Sequence, residues 1–330
     1  MPTTNHPEHL IRAFSERLQK REIMPFDEFV QFALYNPNIG YYTKERKRVG
    51  RSGEHDFFTS TSLGSIWGEL IVDACKRILK KENLGEYTFV EIAAEPKQFV
   101  LSGVKHPFGD TRVLRWQDPQ NIPERAIVYS NEWLDAQAFK RFCFNPGDKK
   151  WQELGVTLEN GSFREKAMDP SLSSLYLDFA QDNALPYQID WPSGSIEALE
   201  RLCRKKWSGL FLTFDYGLSK EILLKERPLG TARSYHRHKM GSDLLSRVGE
   251  QDLTCHLCWD ELAEVLKHWK FNHPKLASQE SFFMNHASGR IEEILTSSTS
   301  EPNSKIQVLK ELIHPLHMGN KFQALWALRE

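Results

Sequence analysis

A chain of 330 residues with 43 Lys and Arg against 44 Asp and Glu carries a formal charge of -1, so no global basic field marks it as a nucleic-acid binder. Its 40% hydrophobic and 26% charged residues suffice for a real core, in two domains or one large decorated α/β unit. Five irregularly placed cysteines (Cys75, Cys143, Cys203, Cys255, Cys258) make no disulfide framework, and no apolar run approaches the roughly 20 residues of a membrane span. The opening MPTTNHPEHLIRAF lacks a signal peptide's apolar segment and is too acidic and His-rich for a transit peptide. The expectation is a cytoplasmic protein.

From Glu8 to Lys20, Leu10, Ile11, Phe14 and Leu18 recur at three and four, which predicts an amphipathic helix. Pro25 opens a second helix with Phe26, Phe29, Val30, Ala33 and Leu34 inward, stopped by Asn36-Pro37 and Gly40. Tyr41 and Tyr42 follow, then the basic run KERKRVGRSGEHDFFTS, readable as solvated surface, as a lid, or as a contact with an acidic partner. After Thr59-Ser60, Ser65 to Lys80 predicts a third helix with Ile66, Leu70 and Ile71 inward.

Tyr87 to Glu91 predicts the first buried strand, and Pro96 to Val100 a helix start after it. The intervening turn is the place for a glycine-rich cofactor loop, yet Glu91-Ile92-Ala93-Ala94-Glu95-Pro96-Lys97 contains no glycine. Glycine there allows positive φ and close ligand approach, so nothing supports a dinucleotide or P-loop site. Arg112 to Leu114 is extended. Asp118, before Pro119, suits either an Asx turn or a ribose or adenine contact.

The most informative stretch is IVYSNEWLDAQAF, residues 127–139. An apolar β-branched strand breaks off into Asn131, Glu132 and Asp135, where a parallel sheet places its ligand rim. Carboxylates there can accept bonds from a cationic group, and Asn131 offers both donor and acceptor. The same residues also suit a helix N-terminus.

Beyond Phe144 the chain is polar and irregular, with helical segments near Leu172 to Gln181 and Ser195 to Lys205. Leu210 to Phe214 repeats the strand-then-acid pattern, ending in Asp215-Tyr216-Gly217. Asp252, Thr254, His256 and Cys258 alternate with Leu253, Cys255 and Leu257, which predicts a strand. In a strand the sulfurs of Cys255 and Cys258 point to opposite faces, so a lone CxxC gives no metal site. Asp260 to Trp269 reads as a helix, Ser278 to Met284 as a strand, SSTSEPNS as a loop, then a helix at Ile306 to Leu312 and a last strand at Phe322 to Leu328.

PFDEFVQFALYNPNIGYY, DFFTSTSLGSIWGEL, SNEWLDAQAFKRF, LTFDYG, GTARSYHRHKM, DLTCHLCW and MGNKFQALWAL occur in one order from about Met24 to Leu328. In these motifs the chain resembles the DUF185 or MidA-like family of S-adenosylmethionine-dependent methyltransferases, whose mitochondrial members methylate arginine on a respiratory complex I subunit. The resemblance implies an α/β fold: a Rossmann-like class I methyltransferase sheet in residues 83–330, an amino-terminal helical cap in 1–82 and a helical insertion around 165–205. It implies S-adenosyl-L-methionine as cofactor and an arginine-bearing protein as substrate, with no nucleic acid and no membrane span. Catalytic positions carry over onto Asn131, Glu132, Asp135, Asp215 and His256, and cofactor-binding ones onto Tyr41, Tyr42, Thr59, Glu91, Ala93, Asp118 and Asn131.

The chain departs from the family's E-x-G-x-G-x-G motif, with Ala93, Glu95 and Lys97 at the glycine positions, and the segment after it is short for a second strand and helix. Two readings follow: an active methyltransferase with an atypical cofactor turn, or a methyltransferase-like binding or assembly protein that has lost the cofactor.

Overall fold

A computed structural model describes residues 6–44, 64–79, 82–94, 99–115, 121–147, 149–168, 186–296 and 304–330. Six strands form the main sheet: β1 (Thr88–Ile92), β2 (Asp110–Leu114), β3 (Arg125–Asn131), β4 (Ser208–Asp215), β5 (Asn272–Ser278) and β6 (Gln323–Arg329), in the order β5-β6-β4-β3-β1-β2. β2, β1, β3 and β4 run parallel, and β6 is antiparallel to both its neighbours. The three runs expected to be buried strands thus lie side by side in one sheet.

Their apolar continuity follows from cover on both faces. Phe89, Ile127, Tyr129, Leu210, Leu212 and Phe214 share one core with helix α3 (Ser65–Ile78) and the carboxyl-terminal helices. Val90, Val128, Ala126 and Phe211 face the other way, onto helices α4 (Ser193–Cys203) and α5 (Trp259–His268). Phe89 and Phe214 are wholly buried, and each such side chain stabilises by about 1.5–3 kcal/mol.

Parallel register aligns the strand ends. Ile92 is opposite Ser130, and Asn131 is opposite Phe214. The turn after β1, the acids after β3 and Asp215 at the end of β4 therefore reach one rim.

A second, antiparallel sheet was not legible in the sequence. Its strands are Met24–Pro25, Lys140–Asn145, Lys150–Glu159, Ser162–Met168 and Tyr187–Trp191. Between β3 and β4 the chain carries the expected helix α4 together with the last four of these strands, whose mixed charged and apolar pattern hid their pairing. Helices α1 (Glu8–Leu18) and α2 (Phe26–Tyr35) pack on this sheet, where Phe14, Phe26, Phe29, Phe139 and Phe163 form an aromatic core.

Other local expectations change. The Ser278–Met284 strand is instead the end of β5 followed by helix α6 (Gln279–His286), whose N-cap Ser278 accepts a hydrogen bond from Ser281 N. The expected strand through Cys258 is broken into Asp252–Thr254 and Leu257–Cys258. Cys255 and Cys258 are buried in different apolar clusters. After β1, residues 99–103 form turns. The helix expected near Leu172 to Gln181, the basic run 45–60, and the SSTSEPNS loop up to residue 303 lie outside the described residues. No described helix is long and apolar enough to cross a membrane.

Candidate active site

The turn after β1 opens with a left-handed residue that is not glycine. Ala93 stands at the first glycine position of the motif and adopts φ 58°, the left-handed conformation that glycine occupies at little cost. Its N–H donates to the Leu114 carbonyl at 2.7 Å, fixing the turn against the end of β2. A non-glycine residue held there costs about 1 kcal/mol or more and is sustained by its surroundings.

Glu91 supplies part of that support. Its carboxyl is buried and accepts a hydrogen bond from Val100 N at 2.7 Å, which ties the chain beyond the turn back to β1. Burial pushes its pKa up to about 8, so the group is protonated at neutral pH. Gly68 of α3 completes the anchorage, since a Cβ there would lie 2.2 Å from the Val100 carbonyl oxygen.

The rim beyond β3 is acidic and held by hydrogen bonds. Asn131 ends the strand and donates from Nδ2 to Glu132 Oε1 at 3.0 Å. Glu132 has φ 49°, and its N–H donates to the Phe214 carbonyl at 2.9 Å. An acid in this strained conformation, pinned to the neighbouring strand, is aimed by the backbone and not by a helix cap.

Asp215 is fully buried and gathers the loop around itself. It accepts from Leu134 N at 3.1 Å, Asp135 N at 3.3 Å and Tyr216 N at 2.9 Å. Burial raises its pKa well above the carboxylate range, and the adjacent Asp135 adds to this. Asp135 rises to about 6 through burial, opposed by a hydrogen bond from the Tyr216 hydroxyl. Two buried carboxyls this close favour retention of a proton by one of them.

Tyr216 joins the acids to His256, whose ring meets it edge-on with centroids 5.7 Å apart. Burial lowers His256 to about 4, with Arg227 and Arg233 adding to the effect, so the imidazole is neutral at pH 7. Its Nδ1 is buried without a hydrogen-bond partner among the described residues, as are Asn131 Oδ1 and Asp135 Oδ1. Each such atom costs about 1–3 kcal/mol until a ligand or water meets it.

The double tyrosine divides its roles. Tyr41 is wholly buried in the amino-terminal core, and Tyr42 stacks on Tyr35 at 5.4 Å. The Tyr35 hydroxyl donates to the Ala136 carbonyl at 2.8 Å, which fastens α2 to the acidic loop. Thr59 and Asp118 lie outside the described residues.

Tyr35, Trp133 and Gln137 escaped sequence reasoning. They line a cleft of about 590 Å³ at the ends of β1 and β2, which Ile92 and Leu114 also border. Trp133 and Gln137 do stand inside the singled-out stretch 127–139, but their bearing on the cleft needs the third dimension.

Residues 69–275 match a protein-family model described as "Putative S-adenosyl-L-methionine-dependent methyltransferase". The chain belongs to this family. The structure is similar to a COG1565 superfamily member from Burkholderia thailandensis crystallised with S-adenosyl-homocysteine (TM-score 0.84, 20% identity), covering 98% of this chain and 92% of that one. A native crystal structure of a COG1565 superfamily protein from the same organism gives a TM-score of 0.81 at 19% identity, with the same coverages. At these identities the likeness establishes the fold. Comparison with curated proteins finds no match.

The residues present fit the family's cofactor. Ala93 has the left-handed backbone that a glycine takes readily, and Asn131 Oδ1, without a hydrogen-bond partner among the described residues, offers an acceptor at the rim where parallel strands place a ligand.

Proposed function

We propose that this methyltransferase acts on a cationic nitrogen, most specifically a protein arginine side chain, with Glu132 and Asp135 as the receiving carboxylates. The observation that carries the reading is Glu132 held at positive φ on the rim it shares with Asp135 and Asp215. Tyr216 lies against these acids, its hydroxyl donating to Asp135, and Tyr42 stacks on Tyr35, whose hydroxyl is fastened to the same loop at the Ala136 carbonyl. Aromatic faces and carboxylates together suit a planar cation.

Bound S-adenosyl-L-methionine would supply a methyl group activated on sulfonium, with Ala93 and Asn131 among the residues that hold it. The protein's own task is to place the acceptor nitrogen in line and to stabilise its charge. Glu132 accepts hydrogen bonds from the guanidinium and favours the positive charge that grows as the new N–C bond forms. The proton displaced from that nitrogen passes to Glu132. Neutral His256 holds Tyr216 by ring contact, and Tyr216 in turn holds Asp135 by its hydroxyl.

Loss of the motif glycines favours a second reading, in which the chain is a binding or assembly protein that no longer uses the cofactor. Calorimetry with S-adenosylmethionine separates the two, since absence of binding at millimolar cofactor removes the enzyme. Glu132→Gln should bind cofactor with wild-type affinity and lose methyl transfer to arginine-bearing protein by about a hundredfold or more. Wild-type turnover in that variant would take Glu132 out of the mechanism.

A further inference from the structure

The cleft at the ends of β1 and β2 has a charge pattern that methyl transfer by the acidic rim does not use. Arg201, Arg204 and Lys205 border it from the end of α4, and Arg115 from the residue after β2. No carboxylate lies among its described lining residues.

Basic residues at a helix C-terminus are ordinary, because they complement its dipole. That accounts for the α4 cations but not for Arg115, which enters the same cleft from a different element. Arg201 and Arg204 have partners on their own helix, Glu197 at 3.6 Å and Glu200 at 3.5 Å. All four of these side chains are more than a third exposed, so the pairs are loose and screened, and both cations can turn to a ligand. A volume of about 590 Å³ lies within the ligand-sized range.

The loop after β3 borders both regions. Glu132 and Asp135 belong to the acidic rim, while Trp133 and Gln137 line the basic cleft. The amino end of α4 meets that loop, where Ser195 Oγ donates to the Leu134 carbonyl and Gly194 N to the Ala138 carbonyl. Arg201 and Arg204 therefore stand about 10–15 Å further along the helix, a span that an extended chain at about 3.3–3.6 Å per residue covers in roughly three to five residues.

We infer that the basic cleft receives the acidic flank of the methyl-accepting protein segment, carboxylate side chains within a few residues of the cationic nitrogen. This rests on the reading that the rim takes the acceptor nitrogen. The substrate class is thereby narrowed to a basic residue in an acidic neighbourhood.

The test uses two fluorescein-labelled peptides, each with a central arginine, one flanked by three glutamates on either side and the other by three glutamines. Anisotropy is read at low salt with the full chain saturated in S-adenosylhomocysteine. The glutamate peptide should bind about tenfold more tightly than the glutamine one, and an Arg201→Gln/Arg204→Gln double variant should abolish that preference. Calorimetric affinity for S-adenosylhomocysteine should be unchanged in the variant, which also shows that it folds.

Equal binding of the two peptides by the wild type, or an undiminished preference in the double variant, overturns the inference. A parallel loss of S-adenosylhomocysteine affinity also overturns it, by giving the cations to the cofactor. A glutamate-flanked peptide with leucine in place of its arginine separates the rim from the cleft. If it binds as tightly as the arginine peptide, the rim reading fails and takes the assignment to an acceptor's flank with it. A loss of glutamate dependence alone removes only the cleft.

Discussion

Replacing Glu91 by Gln tests how the glycine-less turn is held. The carboxyl is 3% exposed, accepts from Val100 N at 2.7 Å, and has its pKa raised by burial from 4.5 to about 8. The folded chain therefore keeps a proton that the unfolded chain releases above its lower pKa. The stabilisation from this group is complete below about pH 4.5 and is lost as pH rises towards 8. At about 1.4 kcal/mol per pKa unit, the loss reaches about 3 kcal/mol at pH 7 and about 4 kcal/mol at pH 8. Gln retains a carbonyl acceptor for Val100 and does not titrate. Relative to wild type, Glu91→Gln should gain about 3 kcal/mol of stability between pH 4.5 and pH 7, with the titrations of Asp135 and Asp215 cancelling in the comparison. Urea unfolding of both proteins at pH 5, 6, 7 and 8 reads this directly. Curves that stay parallel across the range would refute the assignment of Glu91 as a buried neutral tether.

At Ala93, glycine should relieve the left-handed strain and raise stability by about 1 kcal/mol in thermal unfolding, whereas Ala93→Val should lower it; an unchanged glycine variant would mean that φ 58° costs nothing there. Arg141 forms an ion pair with the buried Asp190 at 2.8 Å, and Asp190 also accepts from Thr231 N and Ala232 N, each at 2.7 Å. Arg141→Met should therefore destabilise by about 3–5 kcal/mol in denaturant unfolding, because it strands a buried carboxylate; a loss below about 1 kcal/mol would show the pair to be dispensable.

The sequence by itself determined the three central strands, because runs such as Ala126 to Tyr129 and Leu210 to Phe214 are apolar throughout and only cover on both faces stabilises them. It also determined that acids follow those strands, and parallel pairing then brought Glu132 and Asp215 to one rim. Helices α2, α3 and α5 were legible from apolar spacing of three and four, although only α5 buries a single stripe and α2 and α3 are covered round most of their surface. The antiparallel sheet was not, because strands such as Tyr187–Trp191 and Lys140–Asn145 hold polar residues in pairs, as in Arg141 with Asp190 and Lys140 with Glu153. Such partners are set by contacts between distant segments, and a one-dimensional pattern reads them as surface. Nor could residue identity reveal that Ala93 and Glu132 hold positive φ, since both choose it against their own preference. That choice is imposed by hydrogen bonds from their N–H groups to Leu114 and Phe214, carbonyls on neighbouring strands that only the folded sheet brings within reach.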